Sequence, residues 1–440
     1  MRRTHLGAFL LGATLATAAA AGAGPRRVAD RFQKLDVFAR VLSHVESHYV
    51  DEVDEQKLVH GALKGMVRTL DPHSEFMTPE EFADLRADTD GEFGGIGVEV
   101  DEEDGVLVVV APIPGSPAAR AGLVARDRIV GVDGTSTKGR DPDETASRLR
   151  GAPATTVKLD IERKGWESPR TFVLKREIIH VDAVEAALLA PGMGYARIKQ
   201  FQERTERELV VALDKLRVSS GGRLDGLILD LRDNPGGLLD ESVKVADLFL
   251  SSGVVVTTVG RGGRKLEEEV ARSHGPWEHV ALACLVNGGT ASAAEIVAGA
   301  IRDHERGILV GTQTFGKGSV QSVIEMDDGS GLKLTVARYL TPSKRSIQEE
   351  GIAPDLFVEE LDPDLVEKAK VKESRERERD LEGHLPGARE GEQVGGKEQV
   401  GDGAQPTPVH LARDNQVMAA YQALKAWHRL QRHEPRGKHP

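Results

Sequence analysis

Apolar positions near the start of the chain recur at helical spacing. Phe32, Leu35, Phe38, Val41, Leu42, Val45 and Tyr49 share one face, and Leu58, Ala62, Met66 and Leu70 repeat the pattern, which predicts two amphipathic helices. Asp71-Pro72 ends the second, and His73 is read as part of that turn because nothing near it completes a metal set. From 91 to 176 the period shortens. Strands are expected from 97, over 105–113, over 127–134 with an Asp133-Gly134 turn, and over 156–163 and 170–175, with helices over 116–123 and 141–149. From 193 onward short apolar runs alternate with helical stretches: strands over 194–198, 224–231, 279–286 and 307–310, helices over 205–216, 238–250 and 296–301. Such alternation predicts mainly parallel strands joined by helices. Residues 320–326 and 332–340 flank a turn at 327–331 and read as a hairpin. Beyond 360, the mixed charges of 364–381 suit a solvated helix and the Gly, Glu, Gln and Pro of 383–408 a flexible linker. Val417, Tyr421, Leu424 and Trp427 mark a last helix, expected to dock on the core or on a second protomer.

The chemistry concentrates where strand 279–286 meets the next helix. The connection reads Asn287-Gly288-Gly289-Thr290-Ala291-Ser292-Ala293-Ala294-Glu295. It places Ser292 at a sharp turn among residues too small to cover it, with first-turn N–H groups that favour developing negative charge. An exposed hydroxyl in that field has what a serine nucleophile needs. Ser292-x-x-Glu295 is equally a capping box, in which the serine only satisfies an orphan N–H. A second stretch shifts the balance towards the nucleophile. Gly311-Thr312-Gln313-Thr314-Phe315-Gly316-Lys317-Gly318-Ser319-Val320-Gln321 sets a lysine between two glycines, where a long side chain is easily redirected. If the following strand begins near Lys317, Gln321 shares its face. A lysine base must be neutral, and burial lowers a lysine pKa to about 7–8. His304 lies twelve residues beyond Ser292 on the same helix, about 18 Å along the axis and out of reach.

The two stretches together resemble the carboxyl-terminal processing peptidases, serine proteases with a Ser–Lys dyad, over roughly 32–360. The resemblance implies an α/β fold: a crotonase/ClpP-like peptidase core with an inserted PDZ domain and an N-terminal helical region that packs two protomers together. It implies Ser292 as nucleophile, Lys317 as general base and Gln321 as the residue orienting the lysine. Arg232-Asp233-Asn234-Pro235-Gly236-Gly237 is a further signature of the family; by it Gly236 or Gly237, with Ala293, forms the oxyanion hole. The segment 91–176 resembles a PDZ domain, which adds an extended peptide to a sheet edge and holds its terminal carboxylate in a loop of free N–H groups. Here that loop would be Phe93, Gly94, Gly95, Ile96 and Gly97. Arg126 stands where many relatives have glycine, so that turn is expected to differ. Implied partners are proteins or peptides with exposed C-termini, an activating protein and a second copy of the chain. No metal or cofactor is implied. The alternatives are a crotonase-like acyl-thioester enzyme, which needs neither PDZ domain nor Ser–Lys pair, and a non-catalytic PDZ scaffold or chaperone.

Length and composition leave room for this plan. The 440 residues suffice for two or three domains, and a net charge of −12 argues against general nucleic-acid binding. The single cysteine, Cys284, sits inside an apolar strand and reads as a small core residue. Met1-Arg2-Arg3, the alanine-rich apolar run 6–20 and A-x-A sites within 19–23 form a secretory signal peptide. This predicts a periplasmic or secreted protein, with an uncleaved inner-membrane anchor as the alternative. The expected divisions are a signal peptide (1–23), helical region (26–88), PDZ domain (89–176), peptidase core (177–360) and C-terminal segment (361–440).

Overall fold

The computed structural model describes residues 24–272, 277–361 and 409–433. The expected signal peptide, charged helix 364–381 and linker 383–408 lie outside the described residues. Among the described residues no helix is long and apolar enough to cross a membrane. The chain divides into two units, Met1–Glu80 with Val323–Leu334, and Glu81–Ser322 with Thr335–Pro440.

The first unit holds both expected helices, α1 (Gly24–His48) and α2 (Glu55–Arg68). Asp54 caps α2 by accepting the Lys57 N–H at 3.1 Å. The turn read at Asp71-Pro72 is present: Asp71 Oδ1 accepts the N–H groups of His73 (2.8 Å) and Ser74 (2.9 Å). Strand β1 (Glu75–Met77) then pairs antiparallel with Gly331, Leu332 and Lys333. Leu35, Phe38 and Val41 on α1, and Tyr49 just past its end, are exposed.

The second unit begins with the β-rich domain. Its main sheet has the order β3 (Val98–Glu103), β4 (Val106–Pro112), β5 (Arg128–Val132), β7 (Thr156–Glu162), β8 (Arg170–Lys175), with β6 (Thr135–Ser136) beside β5. Helices α3 (Pro117–Arg120) and α4 (Pro142–Ser147) complete it. Alternation works as the sequence requires: Val157, Leu159 and Ile161 of β7 are fully buried against Val109, Ile129 and Val132. Strand β3 is an edge. Arg126 takes φ +73°, the left-handed conformation glycine adopts freely.

The segment 93–97 differs from expectation. Most of it is not a loop of free N–H groups, because Phe93, Gly94 and Gly95 belong to β2 (Glu92–Gly95), which pairs antiparallel with β9 (Glu177–His180). Glycine is needed at 94 for close approach: a Cβ there would stand 2.2 Å from the Gly151 carbonyl oxygen, and the Gly151 N–H donates to the Gly94 carbonyl at 2.9 Å. Only Ile96 and Gly97 lie outside a strand.

The core sheet runs β10 (Val184–Ala190), β11 (Met193–Ile198), β12 (Gly226–Asp230), β15 (Ala281–Val286), β16 (Ile308–Gly311), β19 (Leu356–Phe357). Only the β10–β11 pair is antiparallel. Both faces are covered, so its strands are nearly continuous apolar runs. Leu227, Leu229, Leu282 and Cys284 face α5 (Thr205–Ser219), α6 (Leu239–Asp247) and α7 (Ala293–Asp303). Tyr195, Ile228, Ala283 and Leu285 face the C-terminal helices α8 (Val409–Arg413) and α9 (Asn415–His433). The last helix therefore docks on the core, through Val417, Ala420 and Leu424; Trp427 of the expected stripe is 54 % exposed. A second sheet joins β13 (Gly253–Val259), β14 (Lys265–Ala271) and the hairpin β17 (Ser319–Glu325)–β18 (Gly331–Leu340).

Candidate active site

The connection from β15 to α7 bends hardest at Ser292, with φ 55° and ψ −117°. Such a backbone costs about 1–3 kcal/mol and persists only where its surroundings over-determine it. They do so here. Ala291 N–H donates to the Asn234 carbonyl (2.9 Å), Thr290 Oγ1 to the Leu231 carbonyl (2.8 Å), and Asn287 Oδ1 accepts the N–H groups of Asp233 and Gly289 (3.0 Å each). The serine turn and the Asn-Pro-Gly-Gly loop are thus stapled together.

The hydroxyl is not exposed as expected: Ser292 is 7 % accessible. Its immediate neighbours are small, but distant ones cover it. Tyr339 from β18 hydrogen-bonds the Ser292 side chain, and burial pushes its phenol up to about 12, so it stays neutral. Gly236 closes another side; a Cβ on it would stand 2.8 Å from Ser292 Cβ and 3.0 Å from the Ala293 nitrogen. The Gly236 N–H is taken by Asn234 Oδ1 at 2.9 Å. Gly237 turns towards Phe201, where a Cβ would meet the carbonyl oxygen at 2.1 Å. Among the described residues no hydrogen bond occupies the N–H of Gly237 or of Ala293.

Glu295 is fully buried at the centre. Its Oε2 accepts the N–H groups of Ser292 and Lys317, each at 2.9 Å. Its Oε1 accepts the Gly316 N–H (2.8 Å) and the Thr314 hydroxyl (2.5 Å). Burial raises its pKa and the four donors oppose that rise. The capping pattern is therefore real, and the same carboxylate also fixes the lysine loop. Cap and active-site brace are one residue.

Lys317 is half-buried between Gly316 and Gly318. Strand β17 begins only at Ser319, so the shared face expected for Lys317 and Gln321 does not arise from strand alternation. Instead Ser319 and Gln321 share a face, and Gln321 Nε2 donates to Ser319 Oγ (2.9 Å) and Thr335 Oγ1 (3.2 Å). His304 lies at the far end of α7, with Nε2 2.7 Å from the Val254 carbonyl oxygen. Cys284 is fully buried, and burial pushes its thiol up to about 12. No cluster of His, Cys, Asp and Glu among the described residues has the arrangement of a metal site.

Sequence reasoning missed three contributors: the bracing role of Glu295, the Tyr339 hydroxyl and the Asn234 side chain. S-x-x-E signalled the first. Asn-Pro-Gly-Gly signalled the third, as a side chain that bonds backbone two residues on. Tyr339 lies on a distant strand, and no local pattern marks it.

Comparison with known proteins identifies the family. A carboxy-terminal-processing protease of Bartonella bacilliformis is 39 % identical over 395 residues, covering 90 % of this chain and 89 % of that protein. The chain belongs to peptidase family S41. The model of that family matches residues 192–358, a PDZ domain model matches 108–163, and a model described as the activating protease CtpB N-terminal domain matches 13–81. A carboxyl-terminal-processing protease of Synechocystis is 42 % identical over 306 residues, 68 % of this chain and 70 % of its own. A solved photosystem II D1 C-terminal processing protease is 32 % identical over 73 % of this chain and 92 % of that one, with a TM-score of 0.44. Family membership sets aside the acyl-thioester enzyme and the non-catalytic scaffold. This S41 peptidase carries its PDZ domain ahead of the catalytic segment, in the order the sequence indicates.

Proposed function

We propose that the protein is a tail-recognising serine endopeptidase with a Ser292–Lys317 dyad. The observation that carries this reading is Glu295, which grips the backbones of Ser292 and Lys317 through one oxygen and so ties nucleophile to base. Ser292 Oγ attacks the scissile carbonyl carbon as Lys317 takes its proton. The oxyanion is met by the N–H groups of Ala293 and Gly237, since that of Gly236 is already committed. Lys317 then protonates the leaving amine, and water, activated by the same lysine, hydrolyses the acyl-enzyme. Gln321 has its amide nitrogen engaged with Ser319 and Thr335; its carbonyl oxygen is the end that would orient the lysine.

Substrate selection is assigned to the PDZ domain. An extended C-terminal peptide would add to edge strand β3, with its carboxylate at the N–H groups beside Gly97, whose φ of +70° turns the chain there. A protein substrate with a free, apolar C-terminus should be cut several-fold faster than the same substrate amidated. Equal rates would leave a protease whose PDZ domain serves something other than tails.

The exposed apolar stripe Leu35, Phe38 and Val41 on α1, continued by Tyr49 just past its end, is assigned to a second copy of the chain. Light scattering should give a dimer for the wild type and a monomer for Leu35→Glu/Phe38→Glu. A monomeric wild type at micromolar concentration would end that assignment.

A further inference from the structure

Helices α8 and α9 lie beyond the stretch matched by the peptidase model, yet they reach the base of the active-site loop. The contact is polar and buried. At the start of α9, Asp414 Oδ1 accepts the N–H groups of Gln416 (2.9 Å) and Val417 (3.0 Å), while its Oδ2 lies 2.8 Å from Arg232 Nη2. Gln416, fully buried, accepts Arg232 Nη1 at 2.8 Å and donates its Nε2 to the Val358 carbonyl at 2.7 Å. On its other side Arg232 grips Asp230, with Nε at 3.0 Å and Nη2 at 2.6 Å, and its backbone N–H also donates to Asp230 Oδ1 at 2.9 Å. Tyr195 donates its hydroxyl to Asp230 Oδ2 at 2.7 Å. Burial works against the Arg232 charge, but the two carboxylates hold it more firmly protonated than an ordinary arginine.

Arg232 opens the loop that ends in Gly236 and Gly237. Apolar contact alone would seat α9, and Val417, Ala420 and Leu424 already provide it. A buried ion pair adds little stability over an apolar replacement, and its best-attested use is to fix one arrangement. The guanidinium already has a carboxylate in Asp230. What Asp414 and Gln416 add is a second fixed side, so the start of the loop is held from strand and helix together.

We propose that Asp414 and Gln416 are positioning residues of the oxyanion hole, acting through Arg232 to hold the loop that presents Gly237. This rests on the reading of Gly237 and Ala293 as the oxyanion donors. In the full-length enzyme, Asp414→Asn/Gln416→Leu should lower kcat by about 10- to 100-fold, since displacements near 1 Å have such effects, with KM changed less than about twofold. Affinity for a peptide boronate, whose tetrahedral adduct occupies the oxyanion hole, should fall by the same factor. Peptide affinity measured in a Ser292→Ala background should not change. Asp414→Glu, which keeps a carboxylate for Arg232 and leaves Gln416 bonded to the Val358 carbonyl, should lose much less. If the first double variant does not fold, Asp414→Asn alone should show a smaller loss with the same division between kcat and KM. A folded variant with wild-type kcat and boronate affinity would overturn the proposal, as would a fall in kcat with boronate affinity intact. Failure of the wild type itself to bind the boronate would overturn the oxyanion-hole reading, and the proposal with it.

Discussion

Ser292→Ala and Lys317→Arg should each lower kcat by at least about 10⁴-fold while leaving the protein folded, because dyad members act as one unit. The stability half of this expectation comes from the backbone. Ser292 and Lys317 are fixed by their N–H groups, which donate to Glu295 whatever side chain they carry. Alanine keeps the strained turn that serine already occupies. Arginine keeps the length and charge of the lysine but cannot release its proton, so it cannot serve as the base. The double variant should be no slower than either single one. Steady-state rates with a fluorogenic peptide, beside thermal unfolding, check all three proteins. Substantial cleavage by purified Lys317→Arg would remove the dyad and leave the lysine a binding role only.

Glu295→Gln should lose about 1–3 kcal/mol of stability, through one buried donor left unpaired, and should lower kcat with little change in KM. The amide has two ways to sit. With nitrogen in the Oε2 position it would face two N–H donors, those of Ser292 and Lys317. With nitrogen in the Oε1 position it would face the Gly316 N–H and the Thr314 hydroxyl. The second is better, because a hydroxyl can turn to accept, and only the Gly316 donor is stranded. Glu295→Ala strands every donor and opens a hole in the core, so its stability loss should be larger. Denaturant unfolding with parallel kinetics separates the effects. A fully active, wild-type-stable Glu295→Ala would show that the serine and lysine loops hold their positions without it.

The elements were legible because their patterns are local. Alternation in β7, apolar runs in β12 and β15 and helical spacing on α9 each reflect a strand or helix burying its own face. The residues of the proposed dyad were legible as candidates because a serine beside small residues at a strand–helix junction, and a lysine between glycines, are short-range signatures. Two readings went astray for the same cause. Ser292 was expected to be exposed, and 93–97 to be an open loop, because the residues that cover the one and pair with the other, Tyr339 and β9, are far away in sequence.

By itself the sequence determined the α/β core and the PDZ segment, and it singled out Ser292 and Lys317 as the proposed nucleophile and base. Tertiary structure decided how they are held. It set which glycine N–H is committed to Asn234, made Glu295 the brace between two loops, placed Tyr339 over Ser292, and brought Asp414 and Gln416 to Arg232. Periodicity and turn chemistry record what a residue does with its neighbours in the chain. A buried polar group must instead find its partner wherever the fold places one, and only packing brings such partners together.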